Sequence, residues 1–255
     1  MADSAHNTGR PVAAVERAVA VLEALADADA DIGTNELARR TQINASSVSR
    51  LLATLGRSGM VTQDPDTGRY RLGLRMLRFG TAVLSRLDLR DVARTHLRTL
   101  SRETGETATL SVSGGGEALT VDYVQSPSSV RSVAEVGRPS VAHATAVGRV
   151  MLAFTDQQLD APLVRYTGAT VTDPAVLRTQ VAHVRERGWS EAVGEREADL
   201  HAVAVPVRSA DGTLLAILGV QGPAGRFTAP SRKNAVAQLT HAAAQIEATF
   251  AGQPV

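Results

Sequence analysis

The sequence predicts an α+β protein in two parts, a small helical module followed by a larger module of strands and helices. Residues 12–57 repeat apolar side chains at helical spacing, and residues 60–73 resemble two short strands around a turn. From residue 106 onward, strand-like runs come first, then two helical runs, then two strands and a last helix. This order is typical of an antiparallel sheet with helices packed over it.

The composition indicates a globular chain without membrane segments or disulfide bonds. It has 255 residues, 44% of them hydrophobic and 21% charged, which is enough for one large domain or two modest ones. Cysteine is missing, so disulfides and thiolate metal sites are excluded. Because no apolar run is long enough to span a bilayer and the N-terminus lacks the pattern of a secretory signal, we expect a cytoplasmic protein with no membrane partner.

Charge is distributed unevenly between the two parts. Residues 32–90 contain ten arginines and four acidic residues, a net charge of +6, whereas residues 91–255 carry a net charge of −1. A basic module joined to a neutral one suggests a polyanionic partner for the first and another role for the second. The alternative is that these arginines only solvate helix faces.

Three helices are predicted in the first part. In residues 12–26 an apolar stripe is predicted to form the buried side of the first helix. Thr34 is a plausible N-cap for a short helix through about Arg40, and Ser46 or Ser47 is expected to cap the third helix. The stripe on the first helix consists of Val15, Ala18, Val19, Leu22, Leu25 and Ala26.

The second and third of these helices have the spacing of a helix-turn-helix. Ala38 provides the small side chain that a close helix crossing requires, and Gln42 occupies the tight turn, where glycine is commonest. Val48, Leu51, Leu52 and Leu55 form the inner face of the third helix. Its other face carries hydroxyl groups that allow close approach to a phosphate, and arginines that can reach a guanine edge or a phosphate. This face contains Ser46, Ser49, Arg50, Ala53 and Arg57.

The predicted hairpin, whose tip is DPDTGRY, strengthens a nucleic-acid interpretation. It places Arg69 and Tyr70 beside a turn, where a wing would lie along the minor groove or the DNA backbone. Helix-turn-helix spacing alone also fits an ordinary core helix pair, but spacing, hairpin and positive charge together predict DNA binding.

A helical pattern then runs from Leu74 to Leu100 and indicates two helices that meet near residues 87–90. Its apolar stripe needs a partner surface, which is either the same domain or a second copy of the chain. The stripe contains Met76, Leu77, Val83, Leu84 and Leu87.

Beyond Gly105 the strand and helix patterns define the second part. The predicted strands are 106–113, 118–125 and 130–137, followed by two strands around the SADG turn at 209–212, and the predicted helices are 146–154, 174–187 and 230–250. Small neutral residues at 144–148 expose backbone amides that could hold a carboxylate, with Arg131 as a possible counter-charge. The alternative is that this loop only lets a helix start close to the sheet.

An enzyme is not indicated. The chain lacks a G-x-S-x-G nucleophile sequence and an H-E-x-x-H zinc sequence, and its triple glycine lacks the Lys-Ser/Thr of a phosphate-binding loop. The acidic run at 194–199 is better explained as a solvated loop than as paired catalytic carboxylates. We therefore expect no catalytic residues, no metal site and no cofactor.

With these features in view, the chain resembles the IclR family of bacterial transcriptional regulators over nearly its whole length. VERAVAVLEAL, with Arg17, is similar to the first helix of that family, and ASSVSRLLATLGRSGMV with GRYRLG to its recognition helix and wing. RETGETATLSV, GRPSVAHATAVGRVMLA, RERGWSEAVGERE and AVAVPVRSADGTLLAILGVQGP, followed by Arg226, occur in the family's order and spacing.

The resemblance implies a winged helix-turn-helix domain at 1–73, a linker helix at 74–90 and a GAF-like effector-binding and oligomerisation domain at 91–255. It also implies a homodimer that commonly pairs into a tetramer, a palindromic DNA operator and a small organic effector. The candidate DNA-binding residues are Arg17, Thr34, Arg39, Asn44, Ser46, Ser47, Ser49, Arg50, Arg57, Arg69 and Tyr70. The candidate effector-binding residues are Arg131, Ala144, Thr145, Ala146, Val147, Glu195, Ala202, Gly219 and Gln221.

Several positions depart from the family pattern. Arg149 stands where a lysine is usual and Asp199 where a glycine is common. Gly219 and Gln221 replace residues that are often hydroxylic, which removes two hydrogen-bond donors. The expected function is a regulator, most simply a repressor, that responds to a carboxylate or aromatic catabolite. An activator, an enzyme with a DNA-binding appendage, a nonspecific architectural DNA binder and a ligand-independent scaffold are the alternatives.

Overall fold

The computed structural model describes residues 12–84, 88–114, 116–157 and 162–251. The chain divides into two compact units, Met1–Arg86 and Leu87–Val255. In the part of the chain that is described, no helix is long and apolar enough to cross a membrane.

Within residues 12–84, the first unit contains four helices and a two-stranded antiparallel hairpin. Val61 pairs with Leu72 and Gln63 with Tyr70, so the hairpin predicted from the DPDTG turn is present. The elements are α1 (Ala13–Ala26), α2 (Thr34–Thr41), α3 (Ala45–Arg57), β1 (Val61–Gln63), β2 (Tyr70–Leu72) and α4 (Arg75–Leu84).

The core of this unit forms where α1, α2 and α3 meet. Val48, Leu52 and Leu55 of α3 are buried as predicted, and Leu37 of α2 is fully buried among them. On α1 the predicted stripe is right in its second half, where Leu22 and Leu25 pack in the core, and wrong in its first half. Val21 and Leu25 are the buried residues, whereas Val15 and Val19 are 60% and 45% exposed, because α1 contacts α2, α3 and β2 mainly through its second half.

The helix caps also differ from those predicted. Asn44, not Ser46 or Ser47, caps α3, and its side-chain oxygen accepts the Ser47 amide at 2.9 Å. Asparagine in extended conformation just before a helix satisfies one of the first free amides, so the helix begins earlier than the serines suggest. The cap of α2 is Gly33, and Thr34 is its first helical residue.

Gln42 in the turn between α2 and α3 is left-handed, with φ of 58°. This conformation explains why glycine is the usual residue there. Further along, two helices separate the hairpin from the first large strand, as the pattern at 74–100 predicted. In the stripe of that segment, Leu77 is 68% exposed and Met76 is half-buried. The side chains of Val83, Leu84 and Leu87 lie outside the described residues.

The second unit is a six-stranded antiparallel sheet with four helices. The strand order is β5-β4-β3-β8-β7-β6. Its elements are α5 (Asp88–Thr104), β3 (Thr107–Gly114), β4 (Glu117–Val124), β5 (Pro139–Ser140), α6 (Ala146–Phe154), α7 (Pro174–Arg187), β6 (Ser190–Val193), β7 (Leu200–Arg208), β8 (Leu214–Pro223) and α8 (Ala229–Phe250).

Helices cover the sheet on both faces. Ala204 and Ile217 pack under Val150 and Met151 of α6 in one core cluster. The alternating residue Val205 of β7 is equally buried, which requires cover on the other face as well. That cover comes from α5 and α8, which contact each other and strands β3 and β7.

One predicted strand is wrong and one strand is unpredicted. Residues 130–137 form an irregular segment in which Val130, Val133 and Val136 are about half or more exposed, and the paired strand β5 comes only at Pro139–Ser140. The valines at 130, 133 and 136 recur every third residue and so do not share one face of a strand, and Gly137 adopts φ of 84° and turns the chain. Strand β6, four residues long at the sheet edge, was not predicted.

Candidate functional site

The outer face of α3 presents polar side chains on a rigid, capped helix. Ser49 and Arg50 are exposed, and neither side chain has a hydrogen bond or ion pair to another described residue. Ser46 donates to the Asn44 cap at 2.8 Å, so its hydroxyl and the cap are ordered together. The N-terminal end of α3 therefore combines a positive helix terminus with accessible hydroxyl and guanidinium groups, which suits a phosphate or a base edge.

Arg39 on α2 is held by an acidic neighbour. Its Nε and Nη2 atoms donate to Glu36 at 3.0 and 2.7 Å, and Arg40 donates to the same carboxylate at 2.8 Å. Hydrogen bonds from the two arginines lower the pKa of Glu36 to about 2. The Arg39 side chain is 73% exposed, so it remains available to a second anion.

The hairpin is tied to the body of the first unit by its basic residues. Arg69 donates to the carbonyl oxygen of Asp31 at 3.0 Å, and Arg71 pairs with the Asp31 carboxylate at 2.9 Å. Tyr70 is half-buried and packs on the core rather than standing free at the tip. Of the other predicted DNA-binding residues, Arg17 and Arg57 are exposed and Ser47 and Thr34 are half-buried.

In the second unit a cavity of about 440 Å³ lies between the sheet, the start of α6 and the irregular segment at 130–138. Eight of the nine candidate effector-binding residues line it. They are Arg131, Ala144, Thr145, Ala146, Val147, Glu195, Ala202 and Gln221. Gly219, the ninth, is on β8 beside them, where it pairs with Thr109 and Ala204.

The N-terminus of α6 offers free backbone donors to this cavity. Thr145 caps the helix, and its hydroxyl accepts the Gly148 amide at 3.0 Å. Among the described residues, the amides of Ala146 and Val147 have no acceptor, as is usual in the first turn of a helix. Because these amides and the helix dipole both favour negative charge, the cavity contains a position suited to a carboxylate.

Glu195 is not a solvated acid, contrary to our interpretation of residues 194–199. Glu195 is 8% exposed, and both its carboxylate oxygens accept from Arg149 of α6, one of them at 2.8 Å. Arg149 also donates to the carbonyl oxygens of Glu191 and His143. The acid at the cavity wall is therefore neutralised by a buried arginine, and the pair joins α6 to β6 and the loop after it.

The segment at 130–138 forms one wall of the cavity and is fixed to the sheet by side chains. Gln221 donates to the Ser132 hydroxyl at 2.7 Å, and Thr107 donates to the Ser132 carbonyl at 2.9 Å. Arg226, which forms two bonds to buried Glu106, also reaches the Val130 carbonyl at 3.2 Å. Gln221 thus has a structural partner as well as a position in the wall.

Several lining residues were missed from the sequence. Arg138 and Arg196 belong to the wall, and so do Thr109 and Thr120 on strands β3 and β4. Their sequence signal is weak, because threonine in a strand pattern is ordinary and only the register shows which face it occupies. The two histidines nearest in sequence to these walls have separate backbone partners: His143 bonds with the Val164 carbonyl and His201 with the Phe227 carbonyl.

Comparison with known proteins identifies the family of each part of the chain. The IclR helix-turn-helix domain family matches residues 14–65, and the family of the C-terminal domain of bacterial IclR transcriptional regulators matches residues 81–248. The transcriptional repressor IclR of Escherichia coli K12 is 28% identical over 249 residues, which cover 94% of this chain and 91% of that protein.

Solved structures show the same fold. An IclR transcriptional regulator from Silicibacter sp. TM1040 superposes with a TM-score of 0.84 at 29% identity, over 95% of this chain and 98% of that one. An IclR homologue from Microbacterium hydrocarbonoxydans complexed with 4-hydroxybenzoate has a TM-score of 0.73 at 27% identity, over 93% and 98% of the two chains. The matched families consist of transcription regulators and not of enzymes, as the sequence predicted. This chain belongs to the IclR family of DNA-binding transcriptional regulators, with an N-terminal helix-turn-helix and a C-terminal effector-binding domain.

Proposed function

We propose that this protein is a repressor whose binding to a palindromic operator is weakened when a small carboxylate enters the cavity of the second unit. The observation that carries the effector class is the pair of free amides at Ala146 and Val147 beside a cavity of about 440 Å³. Arg131 supports it, because the only described hydrogen bond of this guanidinium is a long one, 3.3 Å, to the Ser128 carbonyl. The lining combines apolar side chains with polar and charged ones in similar numbers, and directed polar groups of this kind fix the orientation of a ligand in small-molecule sites.

The size of the cavity is compatible with an aromatic acid. The relative from Microbacterium hydrocarbonoxydans is complexed with 4-hydroxybenzoate, which supports testing aromatic acids on this chain. Repression is supported by the similarity to the E. coli repressor. The proposed effector-binding residues are those of the cavity together with Gly219 at its floor.

For DNA, we propose that α3 enters the major groove and that the hairpin follows the backbone. Arg50 and Ser49 are proposed to reach base edges or phosphates, while Arg39, Arg57 and Arg69 contact phosphates. A symmetric dimer, pairing into a dimer of dimers, would match a palindrome with two half-sites. The remaining proposed DNA-binding residues are Arg17, Thr34, Asn44, Ser46, Ser47 and Tyr70.

Regulation is proposed to work by population shift. The effector can change operator affinity only if it binds one arrangement of the dimer more tightly than the other. Domains at 1–73 and 91–255 joined by a linker at 74–90 would let occupancy of the cavity alter the spacing of the paired recognition helices.

The test measures operator binding directly. Purified full-length protein is titrated with DNA from the promoter of its own gene by fluorescence anisotropy, at several salt concentrations and with a panel of carboxylic acids. We expect a footprinted palindrome, a steep loss of affinity with salt, and at least one acid that weakens binding. Footprinting without a preferred site would contradict the operator assignment. An acid that strengthens binding would show an activator-type response instead.

A further inference from the structure

Thr109 presents a hydroxyl group to the effector cavity without a partner of its own. The residue lies on β3, lines the cavity and is only 5% exposed. Among the described residues, none forms a hydrogen bond with its side chain, although its neighbour Thr107 on the same face is bonded to Ser132. The hydroxyl is therefore open to the cavity, where an oxygen atom of a ligand can bond to it in place of water.

Gly219 keeps this hydroxyl accessible. It pairs with Thr109 across the β3–β8 ladder and faces the same side of the sheet. A Cβ atom at position 219 would lie 2.7 Å from the Thr109 Oγ1 atom and 3.3 Å from the Val147 Cγ2 atom. Any larger residue would therefore crowd the hydroxyl and the start of α6 together.

The same contacts place the Thr109 hydroxyl near the side chain of Val147, at the start of α6. Val147, whose amide is free, approaches the space above Gly219 with its side chain. The cavity floor thus combines backbone donors at the α6 terminus with one side-chain hydroxyl, while Ala144, Ala202 and the side chain of Val147 are apolar. Such a floor recognises an acid that carries a second oxygen function, since an acid without it would leave the hydroxyl unpaired.

We propose that Thr109 is a specificity-determining residue, which selects a hydroxy- or oxo-substituted carboxylic acid over the corresponding unsubstituted acid. This inference rests on the proposed role of the cavity as the effector site. The Thr109 hydroxyl either donates to a carbonyl or hydroxyl oxygen of the ligand or accepts from its hydroxyl. Gly219 leaves the hydroxyl uncrowded, because any side chain there would press on the Thr109 oxygen.

The experiment compares matched acids on the full-length protein by titration calorimetry and by the fluorescence of Trp189, the only tryptophan in the chain. The probes are 4-hydroxybenzoate against benzoate, lactate and pyruvate against propionate, and glycolate against acetate. We expect at least one oxygenated acid to bind about tenfold more tightly than its unsubstituted partner. In Thr109→Val, which keeps the shape of the side chain, that preference should fall to near unity while the unsubstituted acid binds as before.

Ser111→Ala is the matched control. Ser111 lies on the same strand and face, and its hydroxyl is buried without a partner, but it does not line the cavity. If losing any unpartnered hydroxyl of β3 were enough to change ligand binding, Ser111→Ala and Thr109→Val would lose the preference for the oxygenated acid alike. We expect Ser111→Ala to keep that preference. Gly219→Ala provides a second variant, in which Thr109 remains and the space in front of it is filled, and it should also lose the preference.

The outcomes separate this inference from the proposed function. If acids bind but Thr109→Val and Gly219→Ala both retain the preference, or if no oxygenated acid is preferred, Thr109 is not the determinant and the carboxylate site stands. If no acid of the panel binds at all, both the inference and the proposed carboxylate effector are overturned.

Discussion

At the scale of single residues, Arg50 is the side chain on which operator recognition is expected to depend most. It stands exposed on the outer face of α3 with no described ion pair, so removing it should leave the fold intact. We expect Arg50→Ala to weaken operator binding by about 1–3 kcal/mol, measured by anisotropy, with an unchanged melting temperature. A lost base preference would indicate a base contact, and a salt slope reduced by about one would indicate a phosphate contact. Arg98→Ala, at an exposed position of the second unit, is the control, and equal operator affinity in both variants would contradict the recognition-helix assignment.

Glu36 is expected to restrain binding to the DNA backbone. Its pKa of about 2 means that it stays ionised across any practical assay pH and neutralises part of the charge of Arg39 and Arg40. In Glu36→Gln we expect tighter nonspecific DNA binding and a salt dependence steeper by about one unit of slope. Glu23→Gln removes the same charge from an exposed site on α1 without an arginine partner. If both variants change the slope equally, the effect is net charge alone and the specific role of Glu36 is wrong.

At the scale of secondary-structure elements, the Arg149–Glu195 pair determines how α6 is fixed to the β6–β7 region. Both side chains are almost fully buried, at 4% and 10% exposed, so removing one leaves the other charge without compensation. We expect Arg149→Met to lower the free energy of unfolding by about 3–5 kcal/mol in urea titrations, and Arg149→Met with Glu195→Leu to restore most of it. The exposed pair of Arg208 and Glu247, 4.0 Å apart, should matter by less than about 1 kcal/mol in Arg208→Met. If Arg149→Met lowers the free energy of unfolding by less than about 1 kcal/mol, as expected for an exposed pair, this account of the buried pair is wrong.

The elements also show what local patterns can predict. Helices α6 and α7 begin and end at the predicted residues, because apolar spacing, the Thr145 cap and the Asp173-Pro174 start all act within a few residues. The strand predicted at 130–137 is wrong because its β-branched residues recur every third position, which gives no continuous buried face, and they line an exposed wall segment instead. Strand β6 was missed because its four residues acquire strand geometry only by pairing with β7.

At the scale of the whole molecule, the two-part organisation was predictable, whereas the chemistry of the cavity was only partly so. The resemblance placed the residues at 144–147 correctly beside the cavity, since one loop of contiguous sequence carries them. The proposed contribution of Thr109 and the neutralisation of Glu195 by Arg149 depend on contacts between residues far apart in sequence. Such contacts are set by sheet register and helix docking, which no local pattern contains.

The oligomeric state is also a property of the whole molecule, and the exposed side of α1 bears on it. Val12, Val15 and Val19 form an exposed apolar stripe along α1, with 63%, 60% and 45% of their surface accessible. An exposed row of apolar side chains on a folded domain favours contact with a second copy of the chain. A palindromic operator with two half-sites also requires two copies. We therefore expect Val15→Asp with Val19→Asp to reduce the oligomer mass in sedimentation velocity and to weaken operator binding at least a hundredfold, as the two half-sites are no longer bound together. Val176→Asp, at a comparably exposed valine on α7, should change neither. If the double variant keeps both its mass and its operator affinity, the copies associate through another surface.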